Sequence, residues 1–178
     1  MDAAFCCARV PGKEFKAMEM DGRPMGTEWE DVPGIVCIDH VAIAVPRGEL
    51  ARQVAAYALL GFREIHREEV GGGDMVREAI LQIGGGPNLI QLLEPLSAES
   101  PVQKLMDRHG GRGGLAHVAF RVKSAQRAFD YLKEHGFQII DEAPRAGSRG
   151  TTVFFVHPKS RAEDGFGYLI EMVQEAGE

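Results

Sequence analysis

The sequence predicts an α+β fold of two tandem βαβββ modules whose strands join in a cup-shaped mixed sheet. Three observations carry that expectation: a repeated strand, a repeated helix ending, and polar residues at matching places in the last strand of each half. Ile38 to Val45 reads IDHVAIAV and Leu115 to Val122 reads LAHVAFRV, each with a histidine in third position. Self-similarity at a fixed offset is the mark of a duplicated architecture.

Residues 1–34 are expected to be an N-terminal extension, wrapped on the domain or partly disordered, because Pro11, Pro24 and Pro33 interrupt a segment of little periodicity. The folded domain is expected over 35–178, with module one at 35–96, a linking helix at 98–110 and module two at 113–175. In the first strand, alternation puts Ile38, His40, Ala42 and Ala44 on one face and Val41, Ile43 and Val45 on the other. The branched set packs under a helix, leaving His40 among small residues opposite.

That helix is ELARQVAAYALL, with Leu50, Val54, Tyr57 and Ala58 near helical spacing, closed by Gly61-Phe62. Its counterpart SAQRAFDYLKEH carries Ala125, Ala128, Phe129 and Leu132 and closes at Gly136-Phe137. Glycine suits the left-handed position past a helix end, and the apolar residue after it anchors the next strand. FREIHREEV and FQIIDEAP read as second strands, VREAILQIG and TTVFFVHP as third, LIQLLEP and YLIEMVQ as fourth. Between the halves, Ser100, Pro101 and Gln103 give SPVQKLMDRHGG the N-cap, first-turn proline and capping box of a short helix.

With 178 residues and 44% hydrophobic composition, the chain can build one domain or two small modules sharing a core. A net charge of -6 argues against general nucleic-acid binding, and no basic run suits an anionic membrane. No apolar run reaches the length of a membrane span. Cys6, Cys7 and Cys37 form no paired framework, and the first residues lack a signal-peptide core. Glu14, Glu19, Asp21, Glu28, Glu30 and Asp31 fit a transit peptide poorly. A cytoplasmic location is expected.

Gln91 and Glu171 lie in the two fourth strands at places equivalent to one another. Leu89, Gln91 and Leu93 share a face, as do Leu115, His117 and Ala119, and Leu169, Glu171 and Val173. Pairing the modules about a pseudo-twofold would turn His40, Gln91, His117 and Glu171 inward. A lone strand histidine is more often structural. Four potential ligands at matched positions in two repeats favour a metal, and this nitrogen-oxygen set suits Zn, Co, Ni, Mn or Fe. Four ligands on an octahedral ion leave two positions for a bidentate substrate. His109 and His135 read as helix C-terminal residues, His66 as solvated, and His157 as structural or part of the rim.

The duplication with its inward His, Gln, His and Glu resembles the vicinal oxygen chelate superfamily, which includes glyoxalase I and extradiol dioxygenases. Within it, IDHVAIAV, HREE, VREAIL, LIQLLEP, SPV, GLAHVAF, EAPR, HPKS and LIEMV, in that order over Ile38 to Gln174, are similar to the methylmalonyl-CoA epimerase family. The resemblance implies metal ligands His40, Gln91, His117 and Glu171, and one divalent ion, Co2+ or Zn2+ first, with Ni2+, Mn2+ or Fe2+ compatible. It implies an acyl-CoA thioester substrate, a homodimer, and interconversion of (2R)- and (2S)-methylmalonyl-CoA through a metal-stabilised enolate.

Inversion at carbon needs proton transfer on two faces, and the resemblance implies Glu78 and Glu171 as the catalytic pair. By itself Glu78, on a face with Val76 and Ile80, reads as a solvated charge beside Arg77. Burial in an apolar cup is expected to raise the carboxylate pKa. Glu68, Glu69 and Glu94 read as solvated or rim residues. Arg145, Arg149 and Lys159 stand near loops and are available to coenzyme A phosphates, without assignment. The same fold also admits a glyoxalase I-like isomerase, or an Fe(II) extradiol dioxygenase using His40, His117 and Glu171. From another class comes a non-catalytic small-molecule-binding protein.

Overall fold

The computed structural model describes residues 34–160 and 165–177. The expected N-terminal extension, with Cys6 and Cys7, therefore lies outside the described residues except for Gly34. Module one comprises β1 (Ile35–Ala44), α1 (Leu50–Leu59), β2 (Arg63–Val70), β3 (Val76–Gln82) and β4 (Leu89–Pro95). A linking helix, α2 (Pro101–Arg108), leads into β5 (Gly114–Val122), α3 (Ala125–Glu134), β6 (Arg145–Ala146), β7 (Thr152–Val156) and β8 (Leu169–Gln174). No described helix is long and apolar enough to cross a membrane.

The strands form one curled mixed sheet in the order β2-β3-β4-β1-β5-β8-β7-β6. Each module makes half: β1 runs parallel to β4 and β5 parallel to β8, and β1 meets β5 antiparallel at the middle. The two halves thus pair within one chain. Branched residues pack under the helices as alternation requires. Val45, Leu50, Ala79, Leu81 and Leu92 form the cluster beneath α1, and Ala128, Phe129, Leu132, Phe154 and Met172 belong to its counterpart beneath α3. On the other face, Ala42, Ala44, Val76, Leu93 and Ala116 pack with Met106 of α2.

The duplication extends to the helix ends. Gly61 and Gly136 take positive φ, +91° and +74°, and the Phe62 and Phe137 amides donate back to Tyr57 and Leu132 carbonyls. At the helix starts, the Leu50 amide donates to Glu94 Oε2 at 2.8 Å and the Ala125 amide to Gln174 Oε1 at 2.9 Å. A side chain at the end of each module's last strand thereby satisfies an otherwise unpaired amide of that module's helix.

Two expectations are corrected. Ser100 caps α2 by accepting from the Val102 amide at 3.3 Å, but Gln103 does not close a capping box. Its amide donates instead to Asp107, one turn along, at 2.8 Å. In module two, FQIIDEAP is not a full second strand. It contributes the isolated bridge Ile139 to Val156, and regular pairing resumes only in β6. The Asp141 carboxylate takes the Phe155 amide at 2.6 Å in place of a backbone carbonyl, and Pro144 has no N–H to offer.

Candidate active site

The seam between β1 and β5 sets the geometry. Ala42 pairs with His117 across the seam and with Gln91 on β4. Ala119 pairs with His40 across the seam and with Glu171 on β8. Two rows result, Gln91–Ala42–His117 and His40–Ala119–Glu171, related by the pseudo-twofold. Both alanines are fully buried, and their short side chains leave the space above them to their neighbours.

Into that space point the four expected ligands, each more than nine-tenths buried. His40 Nε2, His117 Nε2 and Glu171 Oε2 form a triangle with all three sides 3.1 Å. Two donors about 2.1 Å from a common cation and at right angles to each other stand about 3.0 Å apart. The triangle therefore has the spacing of three ligands on one face of a small divalent ion. Gln91 adds a fourth donor, an oxygen: its Nε2 donates to Glu78 Oε2 at 2.8 Å, while its Oε1 is buried with no hydrogen-bond partner among the described residues. Nitrogen and oxygen donors with an orphaned amide oxygen beside them fit the expected borderline cation.

The protons are set by the surroundings. Burial works to lower the His40 pKa, but its hydrogen bonds to Asp39 and Glu171 prevail and hold it at about 9. Burial would raise Glu171, yet the charges and hydrogen bonds of His117 and His40 bring it down to about 2. The expectation of a raised carboxylate is thus reversed for Glu171. It holds for Glu78, which burial pushes up, with the Glu68 charge adding to the rise and Ser148 and Gln91 opposing it.

Asp39 is the site residue that the sequence reading missed. It is fully buried, accepts from His40 Nδ1 at 2.8 Å, and is clamped by Arg121 Nη2 at 2.6 Å and Arg149 Nη2 at 3.0 Å. Burial alone would raise its pKa, but these cationic and hydrogen-bonding partners hold it well below the usual carboxylate range. Other placements also differ from expectation. Arg149 is engaged with Asp39, and Arg145 with Asp141 and Asp74, at 3.0 and 3.3 Å. Glu94 is buried, bonded to the Leu50 amide and to Arg77. His66 is half-buried, 3.1 Å from Glu68. Glu69, as expected, stays at the surface, where it pairs with Arg77. His109 and His135 cap α2 and α3 as expected, and His109 and His157 line the cavity.

That cavity, about 640 Å³, is lined by Glu78 and Gln91 from one half, His117 and Glu171 from the other, and Val102 and Leu105 of α2. Its size lies within the range of small-molecule sites. A curled sheet closed from duplicated halves around such a centre defines a class of metal-site proteins. The model of the Glyoxalase/Bleomycin resistance protein/Dioxygenase superfamily matches residues 39–155, and the chain belongs to that superfamily.

Within it, the chain is 33% identical over 139 residues to an ethylmalonyl-CoA/methylmalonyl-CoA epimerase of Cereibacter sphaeroides, covering 77% of this chain and 96% of that one. It is 29% identical to the mitochondrial methylmalonyl-CoA epimerase of Homo sapiens, over 77% of this chain and 73% of the relative. The fold matches crystallised methylmalonyl-CoA epimerase from Mycobacterium tuberculosis with TM-score 0.69 and 31% identity, covering 80% and 89% of the two chains. A Streptomyces coelicolor variant of that enzyme in complex with 2-nitronate-propionyl-CoA matches with TM-score 0.70 and 33% identity, over 81% of this chain and 100% of the other.

Proposed function

We propose that this chain is a metal-dependent epimerase interconverting (2R)- and (2S)-methylmalonyl-CoA. The observation that carries the reading is one cavity lined by two buried carboxylates from opposite halves, Glu78 on β3 and Glu171 on β8. Relatives and solved structures named as epimerases of this substrate, and a neighbour bound to a propionyl-CoA analogue, support it.

The chemistry is removal of a carbon-bound proton by a weak base and its replacement on the opposite face. A divalent ion, cobalt or zinc, held by His40, Gln91, His117 and Glu171 would supply positive charge beside the thioester oxygen, where negative charge grows. Glu78 takes the α-proton from one side: its C–H bond breaks, the electron pair delocalises toward the thioester oxygen, and the proton passes to the carboxylate. Burial strengthens Glu78 as a base by raising its pKa. Gln91 holds Glu78 Oε2, leaving Oε1 as the oxygen free to meet the substrate. On the other face an O–H bond of Glu171 breaks as the new C–H bond forms, leaving Glu171 as the carboxylate that His117 and His40 favour; in the reverse direction the two carboxyl groups exchange roles. Val102 and Leu105 of α2 give the cavity an apolar lining. A homodimer in the cytoplasm completes the proposal, on the resemblance stated above.

Incubation with methylmalonyl-CoA in deuterated water tests the reading. Metal-dependent exchange at the α-carbon, lost in Glu78→Gln with metal content retained, supports it; no exchange at any metal loading overturns it. The three-sided ligand cluster also matches the two-histidine, one-carboxylate site of Fe(II) oxygenases. Oxygen consumption with a catechol would favour that second reading.

A further inference from the structure

We propose that His66, Glu68 and Glu78 form a second divalent-cation site, separate from the His40–His117–Glu171 triangle, whose occupant withdraws Glu78 from proton transfer. The withdrawal clause rests on the proposed function; the cation site does not. In the β2–β3 ladder, Glu68 is the direct partner of Glu78 and His66 that of Ile80, so the three side chains share one face at successive rungs. One ligand atom from each lies within 4.8 Å of the other two.

The atoms in this cluster are under-used. His66 Nε2 is 3.1 Å from Glu68 Oε1 but out of line for a hydrogen bond, and is buried with no hydrogen-bond partner among the described residues. Glu78 Oε1 is likewise buried and unpartnered, on a residue only 2% exposed. Two carboxylates placed directly across a ladder repel, and among the described residues nothing cationic is bonded to Glu78. A cation shared by the imidazole nitrogen and the two carboxylate oxygens would satisfy both unpartnered atoms and cancel the repulsion. One nitrogen and two oxygens again suit zinc or a neighbouring first-row ion.

Access completes the argument. The His66 and Glu68 side chains are about one-third exposed, 33% and 35%, while Glu78 lines the catalytic cavity. An ion arriving from solvent through the outer pair would reach the oxygen that the mechanism needs free. The two sites share no ligand, so their stoichiometries are separable.

Zinc alone is the probe. Metal-stripped protein is titrated with zinc and bound metal is counted after gel filtration. Wild type should hold two equivalents, His66→Ala/Glu68→Gln one, and His40→Ala one. For each protein, the epimerisation rate in excess zinc is divided by its own rate at one equivalent. The ratio should fall at least tenfold below unity in wild type and stay near one in His66→Ala. A wild-type stoichiometry of one, or a second equivalent that survives in the double variant, overturns the proposal. If no protein epimerises but the second equivalent is present in wild type and lost in the double variant, the cation site stands and the functional reading falls.

Discussion

His40 Nδ1 donates to Asp39 Oδ1 across 2.8 Å, so the residue preceding the histidine in sequence decides where its ring proton sits. Asp39 is held as a carboxylate by Arg121 and Arg149 and can only accept. Nδ1 therefore keeps its proton when the ring is neutral; with a pKa of about 9, Nε2 carries a proton too near neutral pH and gives it up when a cation binds. A carboxylate behind a metal-binding histidine fixes its tautomer and its aim.

Asp39→Asn removes that control. Metal affinity should drop by about 10- to 100-fold, read by competition against a chromophoric chelator. Thermal stability should fall too, by about 3–5 kcal/mol, because Arg121 and Arg149 lose the charge they were buried against. Glu175→Gln is the control: Glu175 is an outer partner of Arg121 at 2.7 Å, with 31% of its side chain exposed, and its loss should leave affinity unchanged.

Glu78 makes the fold pH-sensitive in a definite sense. Burial raises its pKa above the ordinary 4.5, so folding favours the protonated form. Its favourable contribution is fully present below the unfolded value and is lost as pH rises through the folded one. Glu78→Gln, always neutral, should gain in melting temperature over wild type as pH climbs from 4 to 8, with no gain at the acid end. Thermal scans in the presence of a chelator check the slope; a difference independent of pH refutes it.

Ala119 leaves no room for growth. It is fully buried between His40 and Glu171 in the sheet. Ala119→Val should overpack the seam, costing about 1–3 kcal/mol, and displace both ligands. Bound metal per chain, counted on the folded variant, should decline together with stability.

Glu94 serves the fold alone. Glu94→Ala leaves the Leu50 amide without its acceptor and should cost about 1–3 kcal/mol in urea unfolding. Metal stoichiometry should stay at the wild-type value, because Glu94 bonds to the start of α1 from the face of β4 opposite Gln91.

Most of the architecture was legible because duplication doubles each weak signal. The His40 and His117 strands, the Gly-Phe helix endings and the inward Gln91 and Glu171 each reinforced a counterpart. Asp39 escaped because it sits at a register shift between Ile38 and His40, where strict alternation fails. Its arginines come from 82 and 110 residues away, a distance no local pattern spans. Phe137, Ile139 and Ile140 have strand-like composition, but the Asp141 side chain captured the Phe155 amide and cut the ladder short. Glu94 looked solvated because only the arrival of α1 supplies the amide that it bonds. His66 needed the β2–β3 register, which sequence spacing does not give, to reveal its nearness to Glu78.

The paired rows across the seam are alike in shape but unequal in electrostatics. Gln91 ends one row with a neutral amide where Glu171 ends the other with an anion. With both imidazoles neutral, a dication seated there would keep one unit of positive charge uncancelled, an attraction reserved for an anionic, chelating guest. Gln91→Glu would erase that surplus with almost no change of volume, tightening the hold on the ion while weakening its pull on whatever binds beside it.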